Sequence, residues 1–234
     1  MITSHKFLGI LPIFLLALFS CAQENPYTFK KDDPNGIGKW YMGRETAHVM
    51  GFAGMFWLER PERELEERAS LLLKNMNIAP EDNIADIGAG SGYHVFKIAN
   101  QATKGRIYAV DIQDEMLAVL QQKKKEGNYT NVTIVKGAEK STNIPSNTLD
   151  KVLIVDVYHE MNYPVEMMQS IYNALKEQGK LYLIEYRGED PKVPIKRLHK
   201  MTEAQAVKEM KAIGFELQEN IGNLPWQHCM VFVK

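Results

Sequence analysis

The sharpest chemical pattern in the chain is Ile84-Ala85-Asp86-Ile87-Gly88-Ala89-Gly90-Ser91-Gly92-Tyr93. An apolar run with an acid in it, then a glycine at every second position, predicts a buried strand entering a glycine-rich turn before a helix. Glycine has no Cβ, so a ligand can lie close against the backbone of such a turn. The dinucleotide fingerprint Gly-x-Gly-x-x-Gly would need its third glycine at position 93 or 95, where the chain has Tyr93 and Val95. Acids close two later strand-like runs as well, Asp111 and Asp156. A carboxylate can accept from two hydroxyls at once, and ligands of open α/β sheets collect at the carboxyl ends of strands. His159 and Glu160 follow closely behind Asp156, and His48 lies in an aromatic stretch. These three are the candidate proton acceptors for a reaction at that edge. Each also has a plainer role open to it, the histidines as hydrogen-bonded structural residues and Glu160 as a solvated acid. No metal site is expected.

The elements that must position these groups alternate. Strand-like runs cover 84–87, 106–112, 132–135, 151–157, 180–186, 215–221 and 228–233, with helical periodicity at 93–101, 114–126, 164–176 and 202–213. Such alternation predicts an α/β fold with a doubly wound, mostly parallel seven-stranded sheet. The last two strands are joined only by Gly222-Asn223-Leu224-Pro225, too short for a parallel crossover, so the last strand runs antiparallel. Upstream, 59–74 has the spacing of a helix with a solvated, charge-paired face, and Trp40 to Trp57 is crowded with aromatic and methionine side chains. That segment is either a lid over a pocket or a strap across the core. Residues 21–39 are polar and turn-rich and read as a tether.

The glycine turn Asp86-x-Gly88-x-Gly90-x-Gly92 resembles the first motif of the class I S-adenosylmethionine-dependent methyltransferases, and the similarity extends over about residues 80–234. The resemblance implies a Rossmann-like methyltransferase fold with S-adenosyl-L-methionine as cofactor. It implies contacts from Asp86, Gly88, Ala89, Gly90 and Gly92, with Asp111 on the ribose hydroxyls and Ile112 against the adenine. Ala138 and Glu139, in Lys136-Gly137-Ala138-Glu139, would lie near the adenine edge, and Asp156 would close the site. It further implies methyl transfer to a small-molecule or lipid-like acceptor. The alternative is a non-catalytic, lipid-anchored ligand-binding protein that keeps the same fold.

Composition sets the outer bounds. The chain has 234 residues, 45% hydrophobic and 24% charged, which suits one globular domain with decoration. Lys and Arg total 28 against 29 Asp and Glu, a net charge of −1, so no basic field exists to attract nucleic acid, and none is expected as a partner. Phe7 to Phe19 carries no charge and reaches roughly 20 Å as a helix, short of a ~30 Å bilayer core, so 1–20 reads as an export signal. Leu18-Phe19-Ser20-Cys21 resembles the lipobox of bacterial lipoproteins, which implies lipidation at Cys21 and a place in the cell envelope, anchored to the membrane by that lipid alone. A cytoplasmic location is the alternative if the signal is not used. The expected organisation is thus signal peptide 1–20, tether 21–39, aromatic segment and helix 40–78, and methyltransferase-like domain 79–234.

Overall fold

The computed structural model describes residues 25–234. The expected signal peptide, Cys21 and the first residues of the expected tether lie outside the described residues.

The chain opens with a small antiparallel meander, β1 (Tyr27–Phe29), β2 (Gly36–Tyr41) and β3 (Arg44–Ala47). Short helical turns follow, α1 (Met55–Leu58), α2 (Arg63–Glu66) and the longer α3 (Ala69–Met76). Then β4 (Ile84–Ile87), α4 (Val95–Ala99), β5 (Ile107–Asp111), α5 (Asp114–Glu126), β6 (Val132–Lys136), β7 (Leu149–Val155), α6 (Pro164–Ala174), β8 (Leu175–Tyr186), α7 (Glu203–Ile213), β9 (Glu216–Asn220) and β10 (Gln227–Val233) build the main domain. Its seven strands run in the order β6-β5-β4-β7-β8-β10-β9, with β10 antiparallel to both of its neighbours. The expected sheet, including the reversed last strand, is the one observed.

Local chemistry explains the boundaries. Asp114 and Glu115 open α5 and Lys123, Lys124 and Lys125 close it, matching charge to the helix dipole at both ends. The Thr202 hydroxyl accepts from the Gln205 N–H at the start of α7, and Gly214 ends it at φ 113°. One face of the sheet packs on α6 and α7 through Met168, Ile171 and Met210. The other packs on α3, α4 and α5 through Leu72, Ile98 and Leu120. Helices on both faces leave only the strand ends open, and the crossover from β4 to β7 places a crevice at their carboxyl ends.

Two expectations fail upstream. Within the expected tether, 27–39 is not a free linker, because β1 and most of β2 lie there and dock on the domain. The Tyr27 hydroxyl donates to Glu166, and the Lys39 ammonium sits 3.5 Å from the Tyr163 ring centre. The expected single helix over 59–74 is broken at Arg68, which takes a left-handed conformation at φ 53°. Its charges do not form a solvated face. Arg63 and Glu67 are buried and paired at 2.7 Å, Arg60 reaches Glu67 at 2.6 Å, and Leu65 points out at 80% exposure. Three inward charges outweigh the helical spacing.

A buried ion pair also anchors the meander. Arg44 on β3 makes two parallel bonds to Glu209 on α7, at 2.9 and 3.0 Å, and a third to the His159 carbonyl at 3.1 Å. Tyr158 and Gln205 also donate to Glu209, each at 2.7 Å. Removing one partner of such a pair costs about 3–5 kcal/mol because the other charge stays buried. Arg44→Ala is therefore expected to lower the urea-unfolding free energy by about that amount, and pairing Arg44→Met with Glu209→Met is expected to recover most of it. A loss under 1 kcal/mol would show that the meander is not anchored here.

Candidate active site

A cavity of about 440 Å³ opens at the carboxyl ends of β4, β5 and β7. Its floor is the glycine turn. Gly88 and Gly90 hold φ of 73° and 52°, and a Cβ at Gly88 would lie 2.7 Å from Val157 and one at Gly90 2.7 Å from Leu58. Both positions therefore need glycine on two counts, backbone conformation and space. Asp111 stands beside the turn, buried. Its Oδ2 accepts from the Gly90 N–H at 2.9 Å and its Oδ1 from the Gln113 N–H at 2.9 Å. Each oxygen keeps a second lone pair for a ligand. Ile112, the next residue, exposes 44% of its surface on the cavity wall.

Of the residues expected at the site, Asp86, Gly88, Ala89, Gly90, Asp111, Ile112, Ala138, Glu139, Asp156, His159 and Glu160 line the cavity. Two expected residues are not in it. Gly92 faces away from the cavity and is required for packing, since a Cβ there would meet Phe96 at 2.5 Å and Leu120 at 2.7 Å. His48 is exposed beyond β3 and outside the cavity; its backbone N–H bonds to Asn35 O, and its ring has no place at the site. Glu139 lies at the rim, where the Asn162 amide donates to it at 3.0 Å. The aromatic segment is a wall of this cavity, contributing Val49, Met50, Trp57 and Leu58.

Charge is concentrated along the strand ends. Burial pushes the Asp86 carboxyl up to about 7, against the pull of Arg63 and with a further push from Asp111. Asp156 is raised well above the ordinary carboxylate range, by burial and then by Glu67 and Glu185. Its Oδ2 accepts from the Gln227 amide at 2.6 Å, while its Oδ1 is the one buried side-chain oxygen without a partner among the described residues. Opposite it, the His159 Nδ1 lies 2.6 Å from Glu185 Oε2 at the end of β8. Burial alone would keep that ring neutral, but Glu185 outweighs it and raises the pKa to about 10. Burial also works against Glu160, yet hydrogen bonds from His159 and His199 hold its carboxyl at about 2.

Sequence reasoning missed Glu185, His199, Arg63 and Glu67. A charged residue inside the apolar run Leu181–Tyr186 was a signal for Glu185. His199 sits in a short turn, Arg197–His199, with no local pattern to mark it.

Comparison with known proteins identifies the family and its fold. A family model described as "Methyltransferase domain" matches residues 78–228, and the chain belongs to that family. Among curated relatives, a tRNA U34 carboxymethyltransferase of Helicobacter pylori strain G27 is 29% identical over 117 residues, 48% of this chain and 43% of that protein. A demethylmenaquinone methyltransferase of Anoxybacillus flavithermus is 27% identical over 114 residues, 48% of each chain. The match thus spans less than half the length of either relative. Among solved structures, a SAM-dependent methyltransferase from Aquifex aeolicus superposes with a TM-score of 0.74 at 19% identity, covering 79% of this chain and 99% of that one.

The raised Asp86 pKa carries a consequence for stability. The folded chain keeps a proton there that the unfolded chain has released above its ordinary carboxylate pKa, so stability falls as pH rises, until the folded group ionises near 7. Asp86→Asn removes that dependence. Its stability relative to the parent is expected to improve by about 2–3 kcal/mol between pH 5 and pH 8, measured by denaturant unfolding at both values. A difference that stays constant with pH would refute the assignment.

Proposed function

We propose that this chain is an S-adenosylmethionine-dependent methyltransferase acting on a small-molecule acceptor. The observation that carries this reading is the Asp111 carboxylate, fixed by two backbone N–H groups beside a glycine turn and open to a cavity. A nucleoside with a free ribose diol fits such a carboxylate, which can accept from both hydroxyls. The exposed Ile112 side chain suits the flat apolar face of a purine. Asp156 lines the same cavity, and its Oδ1 has no hydrogen-bond partner among the described residues. When bound, the cofactor would supply an electrophilic methyl group on a sulfonium.

The residues of this chain would do three things. Gly88 and Gly90 let the backbone lie against the ligand, and Asp111 sets its orientation. Val49, Met50, Trp57 and Leu58 cover the cavity and keep water from it. His159, which Glu185 favours in its protonated form, and the ionised Glu160 face the remaining space and are the candidates to hold an acceptor by hydrogen bonds. Methyl transfer is an in-line displacement, so this positioning contributes much of the catalysis. A small acceptor is favoured over nucleic acid because the chain carries a net charge of −1. The tRNA-directed relative matches less than half of its own length here.

Calorimetric titration of the full-length chain with S-adenosylmethionine and S-adenosylhomocysteine tests the proposal. Micromolar binding is expected for both. Asp111→Ala is expected to weaken it by about 100-fold or more, since hydrogen bonds to a charged group contribute roughly 1.5–3 kcal/mol each. Asp111→Asn, which still accepts from Gly90, guards against simple misfolding and is expected to fall between the two. Absence of binding by a folded chain would overturn the proposal and favour an anchored protein that binds a different ligand.

A further inference from the structure

The His159, Glu160 and His199 side chains meet at one corner of the cavity. His159 Nε2 lies 3.0 Å from His199 Nδ1, Glu160 Oε1 lies 3.4 Å from that same Nδ1, and the third edge, His159 Nε2 to Glu160 Oε1, is 3.7 Å. Three potential ligand atoms, one from each residue, thus form a compact triangle. The point equidistant from its corners lies about 2 Å from each, close to the ~2.0–2.2 Å bonds that divalent zinc makes to imidazole nitrogen and carboxylate oxygen.

The surroundings are those of a ligand set held in advance. The far nitrogen of His159 is 2.6 Å from the fully buried Glu185 carboxylate, the carboxylate–histidine arrangement that orients a metal-bound imidazole and makes it a better donor. The other oxygen of Glu160 accepts from the Met50 N–H at 3.1 Å, which fixes that carboxylate as well. His159 is buried at 2% exposure, and all three residues line the cavity, so an ion here would be fixed on the protein side and open on the other.

We propose that His159, Glu160 and His199 form a binding site for a divalent first-row transition-metal ion. Two imidazoles and one carboxylate suit zinc, iron(II), cobalt or manganese rather than magnesium or calcium, which favour all-oxygen ligands. The ion takes the place of the proton that Glu185 and Glu160 otherwise favour on His159. The open positions face the space left for the acceptor, so the ion would select acceptors that present an oxygen donor to it. That last step rests on the methyltransferase reading; the metal site itself does not.

The test uses the full-length chain, prepared without a histidine tag, stripped with chelator and titrated with zinc and separately with cobalt(II), in the absence of any nucleoside. One equivalent of zinc is expected to bind, with no comparable binding of magnesium, and cobalt is expected to give visible d–d absorption. His199→Ala, a change at a partly exposed turn, is expected to weaken zinc binding at least 100-fold, and Glu160→Gln to weaken it and shift the cobalt spectrum. Circular dichroism and thermal melting of each variant establish that it is folded. No stoichiometric zinc, or zinc binding unchanged in folded His199→Ala, would overturn the proposal. A parent chain that binds the nucleoside but no metal would count against this site alone, and one that binds metal but no nucleoside would count against the methyltransferase reading alone.

Discussion

Four neighbouring strands of the sheet, β5, β4, β7 and β8, bring acids to the same edge: Asp111, Asp86, Asp156 and Glu185. Crowding carboxylates in a poorly hydrated crevice is costly unless each is neutralised or solvated by the protein. The chain answers in a different way for each. Burial favours the protonated form of Asp86 and Asp156, backbone N–H groups hold Asp111, and His159 accompanies Glu185. Glu67, brought in from α3's approach, is met by Arg60, Arg63 and the Tyr186 hydroxyl. The resulting site is rigid in its charges and mixed in its protonation states, which is the condition under which a cavity can sort ligands by their hydrogen-bonding groups.

That constraint explains why the N-terminal region folds onto the domain. Arg44, Arg60 and Arg63 all come from it, and each lands on a buried acid. The same region then supplies the apolar cover: Leu58 packs over Gly90, and the Met50 backbone is tied on both sides, its N–H to Glu160 and its carbonyl to the Gln113 amide. Between these anchors the wall is thin. Neither α1 nor the turn Phe52–Gly54 buries a residue, and Phe56 is 76% exposed. Segments with so few buried contacts open at lower free energy than the core, so passage into the cavity is easiest here.

The sheet and its glycine turn were legible because their signals are local. Ile84–Ile87 is apolar but for Asp86, the glycines follow at once, and the connection before the last strand is too short for a parallel crossover. Asp111 and Ile112 came from the family resemblance, and Asp156 from its place at the carboxyl end of a central strand. Less legible was whatever depends on partners far away in sequence. The meander over 27–47 is polar and docks through Tyr27 and Lys39, whose partners Glu166 and Tyr163 are more than a hundred residues on. The 59–74 segment has helical spacing, but its arginines are drawn inward by Glu67, and the helix breaks at Arg68. His199 reaches His159 across forty residues, so no spacing rule could pair them. Gly92 had the right type in the right turn, and only the packing of Phe96 and Leu120 reveals that it serves the core instead.

The central claim is that the cavity at the carboxyl ends of β4, β5 and β7 is a nucleoside site with its acceptor side at His159. A crystal structure with S-adenosylhomocysteine at saturating concentration tests it most directly. The expected density places both ribose hydroxyls on Asp111, the purine against Ile112, and the sulfur turned toward His159. A nucleoside bound elsewhere, or a well-ordered cavity left without it at that concentration, would contradict the account.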